Sequence, residues 1–184
     1  NVSSLEEFST TSKIGNPYTT KSSFDKFIFA YESDNWVKLY KPLDEKKYKF
    51  QYLGTKEQGF IFGWKQLPEN GELLIITGGE KDVMTLAAKG FNAITLNSET
   101  ATLPKNIVDE LKLRFNTILV LYDNDETGLK QSTILAVAHG LHRLVLPTLQ
   151  NNGKDISDYF ANGETLEKFT ALLLTAIQTP APVE

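Results

Sequence analysis

The chain contains no cysteine. That excludes disulfides, thiol catalysis and a cysteine-built zinc site within these residues, and it fits a reducing compartment such as the cytoplasm. No run of about 20 apolar residues occurs, so no membrane-spanning helix is expected. A secretory leader is also missing, and the first residue is Asn rather than Met, so the expectation is an excised piece of a longer cytoplasmic protein. A general excess of basic charge is lacking too. The net charge is −4, with 10 Lys against 9 acidic residues in 1–70 and 9 Lys or Arg against 14 acidic residues in 71–184. An anionic substrate would need cations to screen the second half, and a basic field for nucleic acid has to be local or supplied from elsewhere.

What remains is ordinary globular material: 184 residues, 41% apolar and 23% charged, enough for one domain with a small companion. Residues 1–23 are mostly polar and read as a linker or loosely attached arm. Residues 24–67 are aromatic β sequence, with Phe27-Ile-Phe-Ala-Tyr31, Trp36-Val-Lys-Leu-Tyr40, Tyr48-Lys-Phe-Gln-Tyr52 and Phe60-Ile-Phe-Gly-Trp64. Alternation in the third run puts Tyr48, Phe50 and Tyr52 on one face and Lys47, Lys49 and Gln51 on the other. Two readings fit the lysines. Lys38, Lys41, Lys47 and Lys49 grip phosphates beside aromatic stacking surfaces, or they are the solvated edge of a small sheet.

The turn Pro68-Glu-Asn-Gly71 separates this region from a regular alternation over 71–178. Strands are expected at Leu73–Thr77, Ala93–Leu96, Ile118–Tyr122 and Leu144–Leu146. Helices are expected from Glu80 to Lys89, after Pro104, after Gly128 and from about Thr165 to Ile177. Such an order predicts a parallel sheet with helices on both faces. Residues 179–184 look like the start of a linker.

The chemistry concentrates at strand ends. Ile118-Leu-Val-Leu-Tyr122 runs straight into Asp123-Asn-Asp125-Glu-Thr-Gly128. Residues i and i+2 of an extended segment point the same way, so the two carboxylates converge at a carboxyl edge, where open α/β sheets bind ligands. Either a divalent cation relieves their repulsion, or the segment is a polar turn capping the next helix. The first and fourth strands deliver Gly78-Gly-Glu80-Lys-Asp82 and Lys154-Asp155, with Asp158 beyond, to the same edge. Acids arriving on three separate loops favour the cation. Gly78 and Gly79 let backbone approach a ligand closely before a helix N-terminus, which suits a phosphate.

These three segments together resemble the toprim fold of topoisomerases, primases and certain nucleases. Gly78-Gly-Glu-Lys-Asp82, Tyr122-Asp-Asn-Asp-Glu-Thr-Gly128 and Gly153-Lys-Asp-Ile-Ser-Asp158 look most like the primase branch found in phage and mobile-element primase-helicases, and segment 36–64 looks like the small basic subdomain that precedes toprim there. The implied fold is a four-stranded parallel toprim-like sheet flanked by helices, after a small β-rich basic subdomain. The implied activity is synthesis of oligoribonucleotide primers on a single-stranded DNA template from nucleoside triphosphates, with Mg²⁺ or Mn²⁺. The implied metal ligands are Asp82, Asp123, Asp125, Asp155 and Asp158, and the implied catalytic acids are Glu80, Asp82, Asp123 and Asp125. Gly78, Gly79, Lys81 and Lys154 would hold the nucleotide phosphates. A zinc-binding domain upstream and a helicase domain downstream or in trans are the implied partners, with no membrane involved.

The first motif departs from the family pattern. Its usual glutamate, regarded there as general acid or base, corresponds to Gly78. Two alternatives therefore stand beside the primase: a toprim nuclease using water as nucleophile, and a non-catalytic module that binds nucleic acid or nucleotide. A phosphoacceptor domain of the receiver type fits less well, since it has no place for Lys154-Asp-x-x-Asp158.

Overall fold

The structure, a computed structural model, describes residues 2–12, 14–55, 59–96 and 98–181. It divides into two compact units, 1–58 and 59–184. No helix among the described residues is long and apolar enough to cross a membrane.

The second unit is a mixed α/β layer structure. Its central strands, β8 (Gly71–Thr77) and β10 (Phe115–Leu121), pair in parallel, with β9 (Asn92–Leu96) on one side and β11 (His142–Arg143) on the other. The β-branched and leucine runs exist because both faces are covered. Leu74, Ile76, Ile94, Ile118 and Val120 pack with Val108 and Leu111 of α2 (Lys105–Arg114) and with Leu135 and Ala136 of α3 (Glu126–His139). Ile75, Ala93, Leu119 and Leu121 face the other way. They meet Val83 and Leu86 of α1 (Glu80–Ala88), Ile156 and Tyr159 of α4 (Ile156–Ala161), and Phe169 and Leu173 of α5 (Leu166–Gln178). Each such fully buried side chain contributes about 1.5–3 kcal/mol, so the sheet's level is set firmly.

That level positions the site. Thr77 lies beside Leu121 on one flank and Thr95 on the other, so β8, β9 and β10 end together. The loops after them emerge at one edge.

Two details differ from the sequence expectation. The sheet has a fifth strand, β7 (Ile61–Phe62), antiparallel to β9. The sequence reading grouped these residues with the aromatic region before Pro68, but their pairing belongs to the second unit. The last parallel strand is His142–Arg143 rather than Leu144–Leu146, because Leu144 is the last residue to donate to β10, at Val120 O, 3.0 Å, and the Leu146 carbonyl is taken by the Asn124 amide, 2.9 Å.

The first unit is antiparallel. Its sheet has the order β1 (Val2–Ser4), β4 (Phe29–Glu32), β5 (Trp36–Tyr40), β6 (Phe50–Gly54), beside a hairpin of β2 (Glu7–Thr11) and β3 (Pro17–Lys21). Residues 1–23 are thus mostly strand rather than a loose arm. Their Ser and Thr side chains add little burial, but backbone pairing satisfies the chain and Phe8 enters a core with Ile28, Ala30 and Leu39. Tyr48 sits in a 3₁₀ turn, Lys46–Tyr48, and the strand begins only at Phe50. The tail expected at 179–184 runs into residues 182–184, outside the described residues.

Candidate metal centre

Asp123 follows β10 directly, and Gly128 explains how the turn after it closes. A Cβ on Gly128 would stand 2.2 Å from the Asp123 carbonyl oxygen, so only glycine lets α3 begin there. Asp125 is the N-cap of α3, accepting from the Gly128 N–H at 3.0 Å. Asp155 caps α4 in the same way, accepting from the Asp158 N–H at 2.8 Å. Asp82 lies in the first turn of α1, buried, and accepts from the Ser157 hydroxyl at 2.7 Å.

Asp82, Asp123 and Asp155 bring one carboxylate oxygen each within 4.8 Å of the others, the one such group among the described residues. Two lysines brace it. Lys81 Nζ is 2.7 Å from Asp155 and 3.9 Å from both Asp82 and Asp158; Lys154 Nζ is 2.5 Å from Asp123 and 2.7 Å from Asp125. Asp125 and Asp158 therefore belong to the centre's rim, joined to the triad through shared lysines, and Asp158 also accepts from the Lys154 N–H at 2.9 Å.

The charges are under stress. Burial, reinforced by the Asp155 charge, pushes the Asp82 carboxyl up to about 7. Burial also raises Asp123, against the pull of Lys154. Asp125 goes the other way, held low by the Gly128 N–H and by Lys154. For Lys81 and Lys154, burial alone would favour the neutral amine, but their hydrogen bonds and acidic neighbours outweigh it and keep both charged. An all-carboxylate donor set at this spacing, with one member already driven toward protonation, suits a hard divalent cation such as Mg²⁺ or Mn²⁺.

Other sequence-selected residues fall elsewhere. Glu80 is buried at the start of α1 and is not among the converging carboxylates. Gly79 is the N-cap of α1, and the space beside Gly78 is taken by carboxylates: a Cβ there would meet Glu99 Oε1 at 2.6 Å and Asp123 Oδ1 at 3.1 Å.

The four lysines of the first unit do not form one basic face. Alternation and register put Lys38 with Trp36 and Tyr40 on the face that carries Tyr31, Phe50 and Tyr52, and its ammonium lies 4.6 Å from the Phe50 ring centroid. Lys38 is 7% exposed, so its aliphatic stem is packed rather than solvated. Lys41 pairs with Asp44 at 3.4 Å, Lys47 with Glu45 at 3.4 Å, and Lys49 precedes β6, its carbonyl accepting from the Lys41 N–H at 2.8 Å.

Two contributors escaped the sequence reading. Ser157 holds Asp82 and also meets Thr85 at 2.8 Å, tying α4 to α1. Glu99, on the loop after β9, reaches the Asp123 N–H at 3.4 Å, and burial with the Asp123 charge pushes its carboxyl up to about 7. The signal available for Ser157 was its place inside Lys154-Asp-Ile-Ser-Asp158; for Glu99 it was a single acid on the loop that follows the second strand.

With the geometry in place, the fold defines a class: it is that of the catalytic cores of bacterial and phage DNA primases. No protein-family profile and no curated protein sequence matches the chain. Among solved structures, the primase fragment of the bacteriophage T7 primase-helicase shares 19% identity at a TM-score of 0.60, covering 85% of this chain and 66% of that one. The DnaG primase catalytic domain bound to ssDNA shares 19% at 0.61, covering 91% and 57%. The Aquifex aeolicus primase, with zinc-binding and RNA polymerase domains, shares 18% at 0.60, covering 93% and 44%. The chain thus spans roughly half to two thirds of those proteins, and the likeness is one of fold.

Proposed function

We propose that the chain is the toprim-containing core of a DNA primase, joining ribonucleotides into primers on single-stranded DNA during replication of a phage, mobile element or chromosome. The observation that carries this reading is the convergence of Asp82, Asp123 and Asp155 at the carboxyl edge of a sheet whose fold is shared with primase catalytic cores.

In the reaction, the 3′-oxygen of the growing primer bonds to the α-phosphorus of a nucleoside triphosphate and the bond to the pyrophosphate oxygen breaks, while the hydroxyl proton passes to a base. Asp82, Asp123 and Asp155 are the residues that would hold Mg²⁺ or Mn²⁺, with Asp125 and Asp158 at the rim. When bound, such an ion would supply Lewis acidity, which lowers the proton affinity of a hydroxyl and offsets phosphate charge. Lys81 and Lys154 exchange carboxylate partners for phosphate oxygens as the triphosphate enters, acting as point cations. Template contacts fall to the aromatic and lysine-bearing first unit, with Phe50 and Tyr52 offering stacking faces and Lys47 and Lys49 phosphate contacts. A zinc-binding domain upstream and a helicase downstream or in trans complete the machine, which works in the cytoplasm.

The test is incubation of the chain with labelled ribonucleotides, single-stranded DNA and Mg²⁺ or Mn²⁺. Template-dependent oligoribonucleotides support the primase. Release of DNA fragments would make it a toprim nuclease, and retention of nucleotide without product would make it a binding module.

A further inference from the structure

Position 78 follows the end of β8, at the edge where the triad gathers, yet it carries no side chain. The space beside it is not empty. A Cβ built on Gly78 would come 2.6 Å from Oε1 of Glu99, closer than carbon and oxygen tolerate, and 3.1 Å from Oδ1 of Asp123. The Glu99 carboxylate therefore fills the volume that a residue-78 side chain would enter, and it stands beside Asp123, whose N–H reaches its Oε1 at 3.4 Å. The register explains how. Thr77 and Thr95 are paired neighbours at the ends of β8 and β9, so the loop that follows β9 lies alongside the one that follows β8. A side chain at 78 would push the Glu99 carboxylate out of the place it now holds.

We infer that Glu99 is a fourth carboxylate of the metal centre, delivered from the loop after β9 into the place left by the missing side chain at 78, and that it takes part in holding the divalent cation beside Asp123. Glu99 lies outside the group of carboxylates within 4.8 Å of one another, so its role is that of an outer carboxylate acting beside Asp123, through a water on the cation. This rests on the primase reading for its use, but not for its test. The exchange also defines a swap: an acid at 78 displaces the Glu99 carboxylate, and shortening Glu99 opens room for an acid at 78.

Mn²⁺ affinity, read by electron paramagnetic resonance on the intact chain, is the primary measurement, with primer synthesis beside it. Glu99→Gln keeps the shape and removes the charge; it should weaken Mn²⁺ binding by about 10–100-fold, the range seen when groups supporting metal ligands are removed. Gly78→Glu alone should also weaken binding, because two carboxylates then compete for one space. The double variant Gly78→Glu with Glu99→Ala should recover affinity over either single variant of that pair. Wild-type Mn²⁺ affinity in Glu99→Gln, no loss in Gly78→Glu, no recovery in the double variant, or no Mn²⁺ binding by the unaltered chain would each overturn the assignment. If the unaltered chain binds Mn²⁺ but makes no primer, the primase reading falls while Glu99 is still judged by the binding series.

Discussion

In the second unit the central strands are apolar at consecutive positions: Leu74, Ile75 and Ile76 are completely buried, as are Leu119 and Val120. In the first unit the strands alternate. Ala30, Val37, Leu39 and Leu53 turn toward the core, while Phe29, Tyr31, Lys38, Tyr40, Phe50 and Tyr52 share the opposite face, with Tyr40 and Phe50 stacked at 5.1 Å. A sheet covered on both faces has no face left for polar chemistry, so its reactive groups are confined to the loops at strand ends. The first unit's sheet leaves only part of its second face to solvent: Phe50 and Tyr52 are exposed there, while Tyr31 and Lys38 beside them are buried. The acids of the second unit accordingly stand at strand ends, while the rings of the first unit stand on a sheet face.

The sharpest way to break this contrast is at a strand end. Asp123→Asn, which keeps the shape and removes the charge, should reduce metal-dependent nucleotidyl transfer to background while circular dichroism and thermal unfolding show a folded protein. Activity at the wild-type level would remove the strand-end assignment. A structural counterpart lies at Gly128. Gly128→Ala drives a methyl into the Asp123 carbonyl and should cost about 1–3 kcal/mol of stability by overpacking, read from denaturant unfolding, and lower activity by displacing Asp123.

A pH titration tests the same loops without mutation. Asp82 and Glu99 both hold their protons up to about 7 in the folded chain, whereas in the unfolded chain they release them near the ordinary values of 3.8 and 4.5. Between those limits the folded state binds more protons, so their contribution lowers stability as pH rises from about 4 to about 7. Thermal unfolding of metal-free protein should show this fall, and saturating Mn²⁺ should flatten it, since the cation binds the ionised carboxylates.

The smallest effects are expected at the lysines of the first unit. Lys49→Ala should weaken single-stranded DNA binding modestly and reduce its salt dependence by about one counterion, without changing stability. Lys38→Ala should differ, losing about 0.5–2 kcal/mol of stability with the contact over Phe50. Equal behaviour of the two lysines would mean that they are not divided as described.

Much of the second unit can be read from the chain because its signals are local. A strand running into Asp123-Asn-Asp125, a Gly128 three residues later and Lys154-Asp155 before a helix are contiguous patterns, each with one economical conformation. The first unit is less legible. Residues 1–23 look like a linker because pairing of backbone groups, not side-chain burial, makes them strands. Lys38 looks solvated until the register with β4 and β6 places it among rings. Ile61–Phe62 looks like part of the aromatic region because composition does not reveal which strand edge a short segment will join.

Strand–helix alternation, the acidic strand ends and the glycines that let turns close were determined by the sequence itself, through periodicity and backbone sterics acting over a few residues. The tertiary structure alone decided that Glu99 fills the space at Gly78, that Ser157 steadies Asp82, and that Lys81 and Lys154 brace the acids. These contacts join residues tens of positions apart, and they depend on the level at which separate strands and helices pack, which no short window of sequence encodes.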